Sequence, residues 1–352
     1  MTDQAQQFAD AIRAAADAKR PLNICGGGSK RFYGNAATGE ALDVSGYRGI
    51  LSYEPTELVI TARAGTPLAE IEAAMRERGQ MLGFEPPHFA AGSTLGGCIA
   101  AGLSGPRRAY AGAVRDFVLG IRLLDGRGTD LRFGGQVMKN VAGYDVSRLI
   151  TGSMGTLGVI LEVSLKALPL PPAEITLCRE QTQAEALTLM NEWTGKPLPV
   201  TATCHVDGRL YVRLAGATSA VQAAAARLGG ETVADGVTFW QTLRDQRHAF
   251  FDGDVPLWRL SLQSTAPELQ LPGTQLIEWG GALRWLRSDA DAMSIRKTAR
   301  SHDGHATRFR GDDPSTGAFH PLPSPMLKLH KRVKLAMDPA GILNPGRLYP
   351  EF

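Results

Sequence analysis

Cysteine is scarce in this 352-residue sequence, and its four copies, Cys25, Cys98, Cys178 and Cys204, stand far apart with no CxxC pair and no zinc-ligand spacing. They read as buried free thiols of a reducing compartment. An iron–sulfur cluster held by this chain alone is disfavoured, because such clusters need four closely organised thiolates. Long apolar runs are missing as well. No stretch reaches the roughly 18 apolar residues of a membrane-spanning helix, and the segment Met1–Arg20 lacks the apolar core of a secretory signal. The expectation is a cytoplasmic protein, with docking onto a membrane partner left open. Charge of one sign is equally thin: 38 Lys and Arg against 35 Asp and Glu leave +3, with no basic block. Nucleic acid is therefore not an expected partner. Two nucleotide-binding signatures are also lacking. No G-x-x-x-x-G-K-[ST] occurs, which excludes a P-loop. Gly26-Gly27-Gly28 misses the G-x-G-x-x-G register and has no helix signal directly behind it, which argues against a Rossmann NAD site.

What is present is an ordinary globular balance, 43% apolar and 21% charged residues, at a length that suits two domains, one of which discontinuous segments could build. Phe8 and Ile12 give a first helix one apolar stripe. Short strands are expected over 22–25, near 41–44 and over 58–62. Thr66 as N-cap and Pro67 as first helical residue then open a helix whose Leu68, Ile71 and Met75 share a face. Residues 117–124 and 129–133, joined through Asp125-Gly126, read as a hairpin. Pro169, Pro171 and Pro172 mark a boundary. Beyond it comes a strand at 175–177, then a helix opened by the capping box Thr182/Glu185 and ending near Trp193. A hairpin about Asp207-Gly208 and an alanine-rich helix over 219–228 follow. That β-α-β-β-α order suggests an antiparallel sheet with helices on one face, a ferredoxin-like half. A last helix is expected near 326–337. The fold class is α+β, divided as 1–168, 169–325 and a C-terminal segment 326–352.

Glycine is where the sequence departs from the average. Fifteen of its 40 glycines lie between Ala91 and Gly158, and each costs conformational entropy on folding. Either the main chain makes many tight turns there or something must approach it closely. Three segments stand out. Gly26, Gly27 and Gly28 with Ser29, Lys30 and Arg31 follow a strand and offer bare N–H groups and two cations to an anion. Gly92, Ser93, Thr94, Gly96 and Gly97, continuing to Ala101 and Gly102, combine small residues with hydroxyls and start a helix that could face a phosphate. Gly152, Gly155 and Gly158 recur at every third position before an apolar strand that holds Val159. Tight turns, or close helix–strand packing, would use the same residues.

In this order the three segments resemble the vanillyl-alcohol-oxidase, or PCMH, type of FAD-binding domain. The resemblance implies a two-lobed FAD-binding domain with a ferredoxin-like cap. It implies that the first loop and Ser93–Gly97 close over the FAD pyrophosphate, and that Gly155–Ile160 covers the adenine side. Lys139–Asp145 is similar to the K-x-x-x-G-Y-D of glycolate and D-lactate dehydrogenases, and Asp338–Arg347 to the family's D-P-x-x-x-L-N-P-G-K ending, which brings Asn344 back to the flavin domain.

Catalytic members of the family carry an H-x-G-D-G-N motif, which is lacking here. His302 and His305 could face a metal across one helical turn, but Gly304 argues for a loop, and no metal site is expected. Ser29 stands near the place where some members attach flavin through histidine, so non-covalent FAD is expected. Without the histidine motif, and with Phe309–Gly311 and Ala318–Pro323, the chain is most similar to the short flavin subunits of glycolate-oxidising complexes. That resemblance implies a larger FAD-containing subunit and an iron–sulfur subunit as partners, glycolate as substrate, and electron relay through this chain. Two alternatives stay open: a self-sufficient FAD-dependent 2-hydroxy-acid dehydrogenase, for which Arg308, Arg310 and His320 are candidate substrate groups, and a scaffolding subunit that has lost its flavin.

Overall fold

The computed structural model describes residues 4–135, 145–311 and 316–352. The chain divides into two compact units. The first comprises Met1–Leu103, Ala113–Pro169 and Pro321–Phe352; the second comprises Ser104–Gly112 and Leu170–His320. The chain thus leaves the first unit at Leu103 and re-enters it at Ala113, nine residues that sequence patterning alone does not mark.

The first unit is built on a five-stranded antiparallel sheet, in the spatial order Ile50–Glu54, Val59–Arg63, Val159–Lys166, Val118–Leu124, Asp130–Gly134. A parallel pair, Leu22–Cys25 with Glu40–Asp43, stands beside it. The first helix, Gln4–Asp17, presents Phe8 and Ile12 to a core shared with Leu22, Leu42, Val159, Leu161 and Leu343. The C-terminal tail is stitched to the parallel pair, Leu22 N donating to Ile342 O at 2.7 Å and Asn344 N to Leu22 O at 2.9 Å. Residues more than 300 positions apart therefore form one layer, a contact that local periodicity cannot announce. One cap differs from expectation. The helix Leu68–Arg76 has Pro67, not Thr66, at its N-cap. The Thr66 hydroxyl instead accepts from Gly49 N at 2.9 Å, because the preceding strand carries it against that loop.

The second unit holds one eight-stranded antiparallel sheet. Four strands, Glu231–Thr232, Ala173–Glu180, Arg209–Gly216 and Val200–Val206, form one half; the other runs Thr274–Glu278, Leu283–Arg287, Leu257–Ser261, His305–Arg310. The helix Gln183–Thr194 opens with the Thr182/Glu185 capping box and, with Thr218–Leu228, buries the face bearing Leu177, Leu210, Val212 and Ile277. In the other half the helix Ala292–Ser301 packs Ile295 and Ala299 on Trp258, Leu260 and Leu286. The helix Gly236–Arg244 lies on the opposite face, where Phe239 stacks on Tyr211 at 4.2 Å and Trp240 donates to Thr176 Oγ1 at 2.9 Å. Thr176 and Tyr211 alternate with the helix-covered residues of their strands, so strand pleating itself puts them there.

Candidate functional site

The strand Leu22–Cys25 runs into Gly26-Gly27-Gly28. A Cβ on Gly27 would stand 1.5 Å from the Gly92 carbonyl oxygen, and one on Gly26 2.7 Å from Thr94 Oγ1. Only bare main chain permits that approach, so the first and second glycine segments meet backbone to backbone. Gly28 adds a φ of +71°. A buried side-chain bond reinforces the meeting, Lys30 Nζ donating to Ser93 Oγ at 2.8 Å. Thr94 Oγ1 accepts from Gly97 N at 3.3 Å and caps the helix Leu95–Ala101. Gly102 ends that helix at φ +66°, where a Cβ would lie 2.8 Å from Gly152 Cα. The second segment therefore also touches the third.

The C-terminal tail locks the arrangement. Asn344 Oδ1 accepts from Ile24 N at 2.7 Å, while its Nδ2 donates to Met154 O at 2.7 Å. Gly155, at φ +74°, leaves its Cβ position 2.6 Å from the same amide. The buried Arg347 guanidinium donates to the carbonyls of Lys30, Arg31, Tyr33 and Asn35, gathering the chain just after the first loop. Burial pushes its pKa below the ordinary arginine value, and four carbonyl acceptors are what offset the desolvation of a buried cation. Behind it, Lys334 Nζ donates to Asp338 Oδ2 at 2.7 Å, Thr156 O at 2.8 Å and Leu343 O at 2.7 Å. Lys334→Met leaves the Asp338 carboxylate buried without its cation, which costs about 3–5 kcal/mol. Urea denaturation should show that loss.

These elements enclose a cavity of about 300 Å³. Gly26, Gly27, Gly28, Ser29, Lys30, Thr94, Gly97, Ala101 and Asn344 line it. Gly92, Ser93, Gly96, Gly102 and Gly155 do not; four of them make the contacts above, and Gly96 packs 2.7 Å from Ala64 Cβ as judged by its Cβ position. Val159 lies apart from the lining, fully buried in the core around the first helix. Sequence reasoning missed Asn23, Ile24, Cys25, Ala37, Ala100, Met154 and Arg347 as lining residues, whereas Arg31 lines the cavity beside Lys30 at the end of the first glycine segment. The only signal available was for Arg347, the basic residue that ends the D-P-x-x-x-L-N-P-G motif. The lining holds Lys30, Arg31 and Arg347 and no carboxylate, so the electrostatics favour a ligand carrying phosphate charge. Cys98, enclosed in the helix behind, has its thiol pushed up to about 12 by burial and is inert. Lys139–Tyr144 of the K-x-x-x-G-Y-D segment lie outside the described residues; Asp145 caps the helix Val146–Ile150 by accepting from Arg148 N at 3.0 Å.

Comparison with known proteins gives the cavity its context. A family model described as an FAD binding domain matches residues 2–134. Glycolate oxidase subunit GlcE of Escherichia coli (strain K12) is 52% identical over 99% of this chain and 99% of its own. The chain belongs to the GlcE family. Its cofactor is FAD, and its fold is the α+β, PCMH-type FAD-binding fold. Glycolate oxidase subunit GlcD of Bacillus subtilis (strain 168) is 31% identical over 57% of this chain and 46% of that relative. Among solved structures, an alkyldihydroxyacetonephosphate synthase aligns with a TM-score of 0.66 at 16% identity, over 97% of this chain and 74% of the other. That likeness concerns the fold alone. The bare loops, the cationic lining and the Thr94 hydroxyl suit the diphosphate of FAD.

The second unit holds the candidate polar residues of the other reading. Arg308 stacks 4.9 Å over the Trp258 ring, on the sheet face covered by Ala292–Ser301. Arg310 is half-buried, and burial lowers its pKa. His320 Nδ1 accepts from Ala306 N at 3.2 Å, and burial together with Arg300 and Arg296 lowers its pKa. His302 caps the end of one helix while His305 opens the next strand, so no helical turn pairs them. Among the described residues no group of three or more His, Cys, Asp or Glu could hold a metal. His305 stands exposed at the start of its strand, but desolvation by the groups packed around it, then Arg259, His320 and Arg108, lower its pKa to about 4. The unfolded chain takes up that proton first, so stability falls as pH drops from 6.5 toward 4 and does not respond to this group above 6.5. Imidazole NMR titration should find His305 neutral at pH 5.5.

Proposed function

We propose that this chain is the FAD-binding, electron-transferring subunit of a complex that oxidises glycolate to glyoxylate. The observation that carries the reading is the cavity itself, in which three glycine segments and the tail converge on a cationic lining free of carboxylates. Near-complete alignment with a glycolate oxidase subunit supplies the substrate class. When bound, FAD supplies a two-electron acceptor; the chain's part is to hold it and set its surroundings. Gly26–Gly28, Thr94 and Gly97 offer the main-chain cradle, Lys30 and Arg31 the balancing charge, and Asn344 and Arg347 the rigidity. The lining contains no histidine, which supports non-covalent attachment. A larger FAD-containing subunit and an iron–sulfur subunit are the partners that complete electron transfer. No described helix is long and apolar enough to cross a membrane, and the reading places the complex in the cytoplasm, with membrane association through partners.

The test is direct. The purified chain should be yellow and release FAD on denaturation, and cells lacking it should lose glycolate oxidation by the complex. A colourless chain, or full glycolate oxidation without it, contradicts the proposal.

A further inference from the structure

The C-terminal helix Ser324–Met337 carries a surface that the flavin cavity does not use. Among its 14 residues Lys334 is the one that is buried, whereas a helix of a globular protein ordinarily buries an apolar stripe. Here large apolar side chains face outward: Met326 is 43%, Leu329 49% and Leu335 62% exposed. Lys328, Lys331 and Arg332 are exposed as well, and among the described residues they make no ion pair or hydrogen bond. The helix contains no Asp or Glu to balance them. Helical spacing sets cations and leucines side by side. Lys328 and Arg332 are one turn apart, and Leu335 lies one turn beyond both Lys331 and Arg332.

The inner side of the helix is held fast. Lys334 Nζ is tied to Asp338, Thr156 O and Leu343 O, and His330 packs edge-to-face on Tyr349 and Phe352, with centroids 6.5 and 6.1 Å away. Met154 and Asn344, close in the chain to those acceptors, line the flavin cavity. The helix is therefore a single layer over the cavity wall, and its outer face is fixed before anything docks on it.

We propose that the outer face of Ser324–Met337 is the docking surface for an acidic face of the partner subunits with which this chain exchanges electrons. The proposal rests on the functional reading above. Three cations with no counter-charge call for carboxylates, and Leu329 and Leu335 call for a small apolar recess among them. Electron exchange requires the partner to come close to the flavin, and this face is one helix away from its cavity. A bilayer is the poorer match. A helix lying in a membrane surface separates its apolar from its charged face and favours Trp and Phe, whereas Leu335 stands among the cations and the helix has no Trp, Phe or Tyr.

The test is biolayer interferometry of the full-length, FAD-loaded chain against the co-purified larger FAD-containing and iron–sulfur subunits. Saturable association that weakens as salt rises is expected. The triple change K328Q/K331Q/R332Q should weaken it at least about tenfold and flatten its salt dependence. Separately, L329S/L335S should weaken it at least about tenfold through lost apolar contact. Arg76→Gln, an exposed cation on the helix Leu68–Arg76, should leave it unchanged. Thermal melts and FAD content identify a variant that fails to fold, and two independent variants keep the test alive if one does. Undiminished association in a folded variant overturns the surface while the functional reading stands. So does sedimentation of the chain with phosphatidylglycerol vesicles that both variants abolish while subunit association survives. If the wild-type chain associates with neither subunit, the functional reading falls and the surface with it.

Discussion

Gly27→Ala should cost the chain its flavin. A methyl group at that position would sit 1.5 Å from the Gly92 carbonyl oxygen, well inside any real contact, so one of the two loops must retreat. Both loops are main chain held at their ends, by the Leu22–Cys25 strand pairing on one side and the Leu95–Ala101 helix on the other. Retreat therefore opens the cavity that they form together. Overpacking of this kind costs about 1–3 kcal/mol of stability. Displacing the cradle should cost FAD binding about 3 kcal/mol, a factor of more than about 100 in affinity. The asymmetry of the contact supplies the control. A Cβ on Gly92 lies 3.5 Å from the Gly27 carbonyl oxygen, an ordinary approach. Gly92→Ala should retain FAD to within about fivefold, an effect of about 1 kcal/mol. Fluorescence titration of the apo-chain with FAD measures both, and equal losses in the two variants would refute the backbone-contact argument.

Asn344→Ala should be the most damaging change outside the glycine loops. Its amide spans two segments, accepting from Ile24 N and donating to Met154 O, and it is 4% exposed. Truncation leaves a buried donor and a buried acceptor unsatisfied, at about 1–3 kcal/mol each. Its φ of +42° adds a further penalty, since asparagine tolerates the left-handed region better than alanine does. Asn344→Gly relieves the backbone but not the lost bonds. The stability order wild type, Gly, Ala is expected in urea denaturation, with FAD affinity following it. An alanine variant as stable and as flavinated as wild type would show that the tail is not part of the site.

The glycine loops were legible because their information is local. A run such as Gly26-Gly27-Gly28 is costly wherever it stands, and the reason for it must be nearby. Arg347 was not legible in the same way. Nothing in its neighbourhood says that it will gather four carbonyls from residues 30–35, because that contact depends on how the tail re-enters the first unit. Val159 shows the opposite case: its place beside a glycine segment suggested the cofactor, yet strand pleating turns it into the core. In the second unit, the Thr182/Glu185 box and the hairpin at Asp207-Gly208 were readable from spacing. The interleaving of Leu257–Ser261 between Leu283–Arg287 and His305–Arg310 was not, since non-local strand order leaves no periodic mark.

The measurement closest to the central claim is the ratio of riboflavin to FAD dissociation constants for the apo-chain. If the bare loops and their cations grip the diphosphate, riboflavin, which lacks it, should bind more than about 1,000-fold more weakly, a difference of about 4 kcal/mol. A ratio near one would place the binding energy in the isoalloxazine ring and contradict the account.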